Sequence, residues 1–296
     1  MIWCSGWALA SAVSNAGGLG LIGSGSMYPE VLREHIQKCK KATTKPFGVN
    51  VPLLYPDIEK HLDIIVEEGV KIVFTSAGNP AKYTAWLKER GITVVHVIAN
   101  TKFAKKCEEA GVDAIVAEGF EAGGHNGREE TTTLCLVPLI VDTVKIPVIA
   151  AGGIGCGRTM AAAICLGASG VQVGSRFAAS VESSAHDKFK EQIIGAKEGS
   201  TELTLKEITP VRLLKNPFYD AVEAAYAAGA SLEELKTLLG RGRAKKGMFE
   251  GDLESGELEI GQISARLDRI ETAGEIVSQM MSEYHDIAGG NPFFGY

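Results

Sequence analysis

No C-x-x-C pair occurs among the six cysteines (Cys4, Cys39, Cys107, Cys135, Cys156, Cys165), and no H-E-x-x-H among the six histidines. The first absence argues against a zinc ribbon or a redox dithiol, the second against a zincin-type site, so no metal is expected. Scattered thiols of this kind read as buried, free cysteines of a reducing, cytoplasmic protein. Positive charge is not in excess: the net charge of -6 leaves no electrostatic footprint for nucleic acid or an anionic membrane. Glycine or a charge interrupts every apolar run well short of a membrane span. The start, Met1-Ile-Trp-Cys4, lacks the basic residues and apolar core of a secretory signal. Missing too is the dinucleotide fingerprint, which needs G-x-G-x-x-G and an acidic residue about 20 positions on. What remains is 296 residues, 45% hydrophobic and 22% charged. That suits one large α/β barrel or two ordinary globular domains.

One stretch organises the rest. Val148-Ile-Ala-Ala151 is a short apolar run that stops in Gly152, Gly153, Gly155 and Gly157, and an alanine-rich helical pattern begins near Arg158. After that helix a second apolar run, Gly170 to Val173, stops at Gly174-Ser175. Glycines permit positive φ and let backbone N–H groups approach an anion, and a helix N-terminus beside them favours phosphate. Two such turns in succession match the phosphate site of a barrel at its seventh and eighth strands. With G-G-x-G-x-G in place of the dinucleotide spacing, the ligand reads as a mononucleotide. The bland alternative is a plain strand-to-helix turn, which a single loop of this kind would not displace.

Upstream, strands and helices alternate strictly. Strands are expected over 19–23, 47–53, 71–75, 93–98 and 114–117, with helices over 8–16, 29–41, 57–68, 81–90, 102–110 and 131–141. The strands are near-continuous valine and isoleucine runs, the mark of a parallel sheet covered on both faces. The expectation is a TIM (β/α)8 barrel. Seven strands are counted where eight close a barrel, and helix 8–16 has no strand before it. The first strand is therefore expected to be missing from this chain, with roughly 10–20 further residues upstream in the native protein. Residues 1–195 form the expected barrel domain. Residues 196–261, with a capping-box pattern at Ser231 and Glu234, form a small, mostly helical lid. Residues 262–296 return a helix (about 272–285) to the barrel and end in a loosely docked tail from Ala288.

In a barrel of this type chemistry sits at the C-terminal ends of the strands. Those positions carry Asn50, Thr75 to Pro80, Glu118 to Gly127, the glycine turn at Gly152, and Gln172 to Arg176. They are polar and glycine-rich, as a flat cofactor with polar edges requires. His125, flanked by Gly123, Gly124 and Gly127, is the one histidine at a strand end. Its ordinary pKa near 6.5 suits an acid or a hydrogen-bond donor. A lone loop histidine more often bonds backbone, and its position is what favours a functional role. Glu118 can accept from a ring or ribose group. Glu121 reads as a solvated loop acid. His35, His61, His186 and His285 read as surface residues of helices, and His96 as structural within a strand.

Four stretches together resemble the nitronate monooxygenase family, also called the 2-nitropropane dioxygenase family. They are Phe47-Gly-Val-Asn50, Ala117-Glu-Gly-Phe-Glu-Ala-Gly-Gly-His-Asn-Gly127, Ile149-Ala-Ala-Gly-Gly-Ile154 and Gly170-Val-Gln-Val-Gly-Ser-Arg-Phe177. Members are FMN-dependent barrels with a small lid, and they include the FMN-dependent enoyl-acyl-carrier-protein reductase II. The resemblance implies FMN held by Asn50, Glu118, Gly123, Gly124, Ala151, Gly152, Gly153, Gln172, Gly174 and Ser175, with His125 as the active-site histidine. The family starts with a strand ending in Gly-Gly-Met near the flavin, and Met1 resembles that Met.

Gly174-Ser-Arg-Phe177, Gly247-Met-Phe-Glu-Gly-Asp252 and Gly261-Gln-Ile-Ser264 resemble the reductase. This implies NADH or NADPH as co-substrate and a small-molecule or acyl-carrier-protein-bound enoyl thioester as partner, and it allows a homodimer. The alternative is oxidation of alkyl nitronates with O2. A second alternative is a non-catalytic flavin- or phosphate-binding barrel.

Overall fold

Seven short runs of β-branched and small apolar residues form one parallel sheet in a computed structural model that describes residues 1–290. They are β1 (Gly20–Gly23), β2 (Phe47–Pro52), β3 (Ile72–Ser76), β4 (Thr93–Ile98), β5 (Ala114–Glu118), β7 (Val148–Ala151) and β8 (Gly170–Gln172). The order is β1-β2-β3-β4-β5-β7-β8, every neighbour parallel. Helices intervene: α1 (Trp7–Asn15) before β1, then α2 (Pro29–Ala42), α3 (Ile58–Glu67), α4 (Thr84–Lys88), α5 (Thr101–Glu109), α6 (Thr133–Val141) and α7 (Gly157–Cys165). Each buries one stripe. In α2, Leu32, Ile36 and Cys39 recur at helical spacing and are fully buried. Val49, Val51, Val73, Val94 and Ile115 meet such stripes in a single core.

The sheet curls like a TIM barrel but stays open, because β1 and β8 are its edges and do not pair with each other. Between them lies a cavity of about 560 Å3 whose walls include Leu9 and Val13 of α1, Leu21 and Val171 of the two edge strands, and Met280. Met1 sits at the upper end of this seam. Its carbonyl is where a side chain on Gly23 would fall, and its Sδ faces Gly174. The expected eighth strand is thus not among the described residues.

After β8 come α8 (Ser175–Ala178) and α9 (Asp187–Gly195). The expected helical lid holds α10 (Pro217–Ala227), α11 (Leu232–Leu239) and a π-turn over Lys245–Phe249, with the capping box at Ser231 and Glu234 formed. It also holds two strands that its polar sequence concealed, β9 (Thr201–Thr204) and β10 (Val211–Leu214). With β6 (Gly124–His125) they form a three-stranded antiparallel sheet, which pins the loop after β5 to the lid. The last helix, α12 (Ala273–Gly290), packs against α7 and α1. The expected loose tail falls largely on 291–296, outside the described residues.

Away from the strand ends, two expectations of burial need correction. His61 is buried, because it shares the inner face of α3 with Leu62 and Ile65. Cys135 and Cys165 are exposed, while the other four thiols are buried as expected.

Candidate active site

Register brings the site together. In the parallel ladder Glu118 lies opposite Ala151, and Ala151 opposite Gln172, so β5, β7 and β8 end level. Met1, Glu118, Gly123, Ala151, Gly152, Gly153, Gln172, Gly174 and Ser175 all line one cavity of about 150 Å3 above those ends. It shares Met1, Glu118, Gln172 and Gly174 with the larger seam cavity, whose size is typical of small-molecule sites, roughly 300–1,000 Å3. Asn50 lines the seam cavity, with its amide Nδ2 donating to the Phe74 carbonyl at 3.4 Å.

The two glycine turns carry the anion chemistry. Gly153 has φ +68°, a left-handed conformation that strains any other side chain. Among the described residues, no intramolecular acceptor meets the N–H groups of Gly152, Gly153 or Gly174. Unpaired donors beside a cavity suit a phosphate oxygen. The neighbouring N-terminus of α7 differs from the sequence expectation. Thr159 Oγ1 accepts from the N–H groups of Gly155 (3.1 Å) and Cys156 (3.2 Å), and Glu283 Oε2 accepts from Gly157 at 2.7 Å. The chain's own oxygens fill the helix terminus, so an anion is left with the first two glycines and the β8 turn. The lining of this smaller cavity contains no lysine or arginine. A phosphate there would be held by neutral N–H groups, which is compatible with the residues present.

Three carboxylates share the cavity wall. Burial pushes the Glu118 carboxyl up to about 7, against the lowering pull of the Met1 ammonium. Glu118 therefore can donate as well as accept at neutral pH. Glu259 comes from the lid, and the buried Glu257 two residues before it is pushed up by burial and then by the Glu259 charge. Glu121 is not the solvated acid expected. Its carboxylate caps α6, accepting from the Thr133 N–H at 2.9 Å and the Thr133 hydroxyl at 2.9 Å.

His125 is exposed in β6, opposite Val211 of β10, and sits two residues beyond Gly123 of the wall without lining the cavity itself. Gly124, at φ +74°, makes the turn between them, packed against the Glu259 side chain. His96 is structural. Its Nδ1 lies 2.6 Å from Thr75 Oγ1, and burial pulls its pKa down to about 4.

The lid and the segment that follows it supply wall residues that sequence reasoning missed: Met248, Glu259 and Ile260, then Ile263. They are seated by Gly261 N–H on Ser175 Oγ (3.0 Å) and Gln262 N–H on the Glu121 carbonyl (3.0 Å). A Cβ on Gly123 would collide with the Ile260–Gly261 backbone, so this glycine is where lid and barrel touch. The alternation Glu257-Leu-Glu-Ile260 was the available signal. Leu258 and Ile260 face the core, which turns both acids the other way.

Comparison with known proteins agrees with this architecture. The family model described as nitronate monooxygenase matches residues 1–283. Over 320 residues the chain is 31% identical to the (3aS,4S,5R,7aS)-5-hydroxy-7a-methyl-1-oxo-octahydro-1H-indene-4-carboxyl-CoA dehydrogenase of Rhodococcus jostii (strain RHA1), covering 96% of this chain and 90% of that one. The structure of FabK from Thermotoga maritima superimposes with a TM-score of 0.93 at 41% identity, covering 100% of this chain and 94% of that one. The nitroalkane oxidase of Streptomyces ansochromogenes gives 0.84 at 27% identity, covering 98% and 94%.

Proposed function

The chain belongs to the nitronate monooxygenase family, and within this oxidoreductase family we propose that it is an FMN-dependent enoyl-thioester reductase using NADH or NADPH. The observation that carries the choice is the whole-chain likeness to FabK at 41% identity, against 27% for the nitroalkane oxidase. The Rhodococcus relative, named for a carboxyl-CoA substrate, also favours a thioester.

Bound FMN would supply the two-electron redox step. The chain's residues bind and orient around it. The N–H groups of Gly152, Gly153 and Gly174 would take the phosphate, and the side-chain amides of Asn50 and Gln172 together with Glu118 would face the ring. His125, two residues beyond Gly123 of the wall, would hold a proton toward the thioester carbonyl or the α-carbon and so stabilise developing enolate charge. The lid residues Met248 and Ile260, with Ile263 just after the lid, would exclude water from the reacting centre. The substrate is a small-molecule or carrier-bound enoyl thioester.

Oxidation of alkyl nitronates with O2 is the second reading, favoured by the family model and the Streptomyces neighbour. Purified, flavin-loaded protein separates the two. Anaerobic NADH or NADPH should bleach the flavin absorbance, and crotonyl thioester should restore it. Colour that persists with both nicotinamides but is lost to an alkyl nitronate would select the oxidase.

A further inference from the structure

Arg176, on α8, is 6% exposed and points away from the cavity, into the space between the glycine turn and α12. Its Nη1 donates to the Gly155 carbonyl at 2.9 Å. Its Nη2 donates to Glu271 Oε2 at 2.8 Å and to Gln279 Oε1 at 2.6 Å. Gln279 Nε2 donates in turn to Glu283 Oε1 at 3.0 Å, and Glu283 Oε2 accepts from the Gly157 N–H at 2.7 Å. The bonds thus run from the Gly155 carbonyl through three side chains and back to the Gly157 amide. Gln279 and Glu283 are four residues apart on α12, hence neighbours on one face. A Cβ on Gly157 would strike the α12 backbone at Glu283–Tyr284, so the two helices meet at this glycine.

We infer that α12 is a working part of the cofactor site, and that Arg176, Gln279 and Glu283 are positioning residues that hold the Gly152–Gly157 turn in its anion-accepting shape. The inference rests on the reading that this turn takes the FMN phosphate. Because Glu283 and Thr159 use the donors of Gly155, Cys156 and Gly157, the free donors are confined to the start of the turn. Because Arg176 links the Gly155 carbonyl to Gln279 of α12, the turn cannot swing away from α12 without breaking a buried, charge-assisted bond. Among the described residues, loss of Arg176 would also leave Glu271 with only the exposed Arg269 as ion-pair partner.

The test compares two ligands that differ only in the phosphate. Dissociation constants for FMN and riboflavin are measured by flavin fluorescence quenching on apoprotein, for the parent and for Arg176→Met, Gln279→Leu, Glu283→Leu and Glu283→Gln. The parent should prefer FMN. Arg176→Met and Glu283→Leu should weaken FMN about tenfold or more, with riboflavin changed less than about threefold. Glu283→Gln keeps an oxygen for the Gly157 N–H and should restore most of the FMN affinity. Gln279→Leu removes only a neutral link and covers the case in which Arg176→Met does not fold. Equal weakening of both flavins, or unchanged FMN affinity in folded variants, would overturn the inference. A parent that binds FMN no better than riboflavin would instead overturn the phosphate placement itself.

Discussion

Replacing Glu118 by glutamine should stabilise the apoprotein at pH 8 and do so far less at pH 5, where the loss has only begun. The unfolded chain releases this proton near 4.5, whereas the folded chain keeps it up to about 7, because burial disfavours the charged form. Between those values the folded state binds more protons than the unfolded state, so stability falls as pH rises, and the loss is complete above about 7. Glutamine copies the protonated acid in shape and never ionises. The shift corresponds to roughly 3 kcal/mol at most. Glu118 borders a solvent-connected cavity, and screening there reduces the value to about 2 kcal/mol. An unfolding entropy of about 2.1 cal/mol/K per residue over 296 residues turns this into a rise of about 3 °C at pH 8. Thermal melts of both proteins by circular dichroism at the two pH values measure it directly. A Tm difference that is the same at pH 5 and pH 8 would refute the reasoning, since a packing effect does not titrate.

Three further outcomes follow from the geometry. Gly153→Glu adds bulk and negative charge at φ +68° beside the free donors, so the folded variant should retain little FMN after gel filtration; undiminished retention would move the phosphate elsewhere. His125→Ala should keep FMN but slow reoxidation of the reduced flavin by crotonyl thioester about a hundredfold, and stopped-flow rates within a few-fold of the parent would leave His125 as a loop residue. Amides of β1 and β8, each paired on one side only, should exchange with deuterium faster than those of β3 to β5. An added N-terminal strand of alternating apolar residues should slow that exchange by filling the seam, and no change on its addition would show that the seam does not accept a strand.

The barrel was legible because its information is local. Short apolar runs of three to six residues, separated by helices with a 3.6-residue apolar stripe, can be read without knowing what packs on what. The strand-end rule then pointed to Glu118, Gly152, Gly153, Gln172 and Gly174, and the ladder register places them on one cavity. What could not be read depends on distant partners. β9 and β10 have four residues each and owe their form to pairing with each other and with β6, whose His125 lies 86 positions before its partner Val211. Glu283 caps Gly157 across a separation of 126 residues, which no local pattern announces. His61 is a different kind of miss. Charged neighbours at Glu59, Lys60 and Asp63 suggest a surface, but Ile58, His61, Leu62 and Ile65 fall on one stripe, and burial follows that stripe.

Arg176 shows how a motif can point to the right place for a different physical reason. In sequence it belongs to Gly174-Ser-Arg-Phe177, a stretch that resembles the reductase. In the structure its guanidinium bonds the Gly155 carbonyl, Glu271 and Gln279, all on the far side of the glycine turn, and it does not line the smaller cavity. It cannot touch a thioester or a nitronate bound above the strand ends. Whatever preference accompanies this arginine must be transmitted through the turn it holds, that is, through how the cofactor is seated. On the proposed reading, direct choice of substrate would fall to side chains of the cavity wall, chiefly Glu118, Met248 and Glu259, and to His125 two residues beyond it. Of these, Met248 and Glu259 lie on the lid, so exchange of these two residues is expected to change substrate preference while FMN affinity holds, the reverse of what substitution at Arg176 should do.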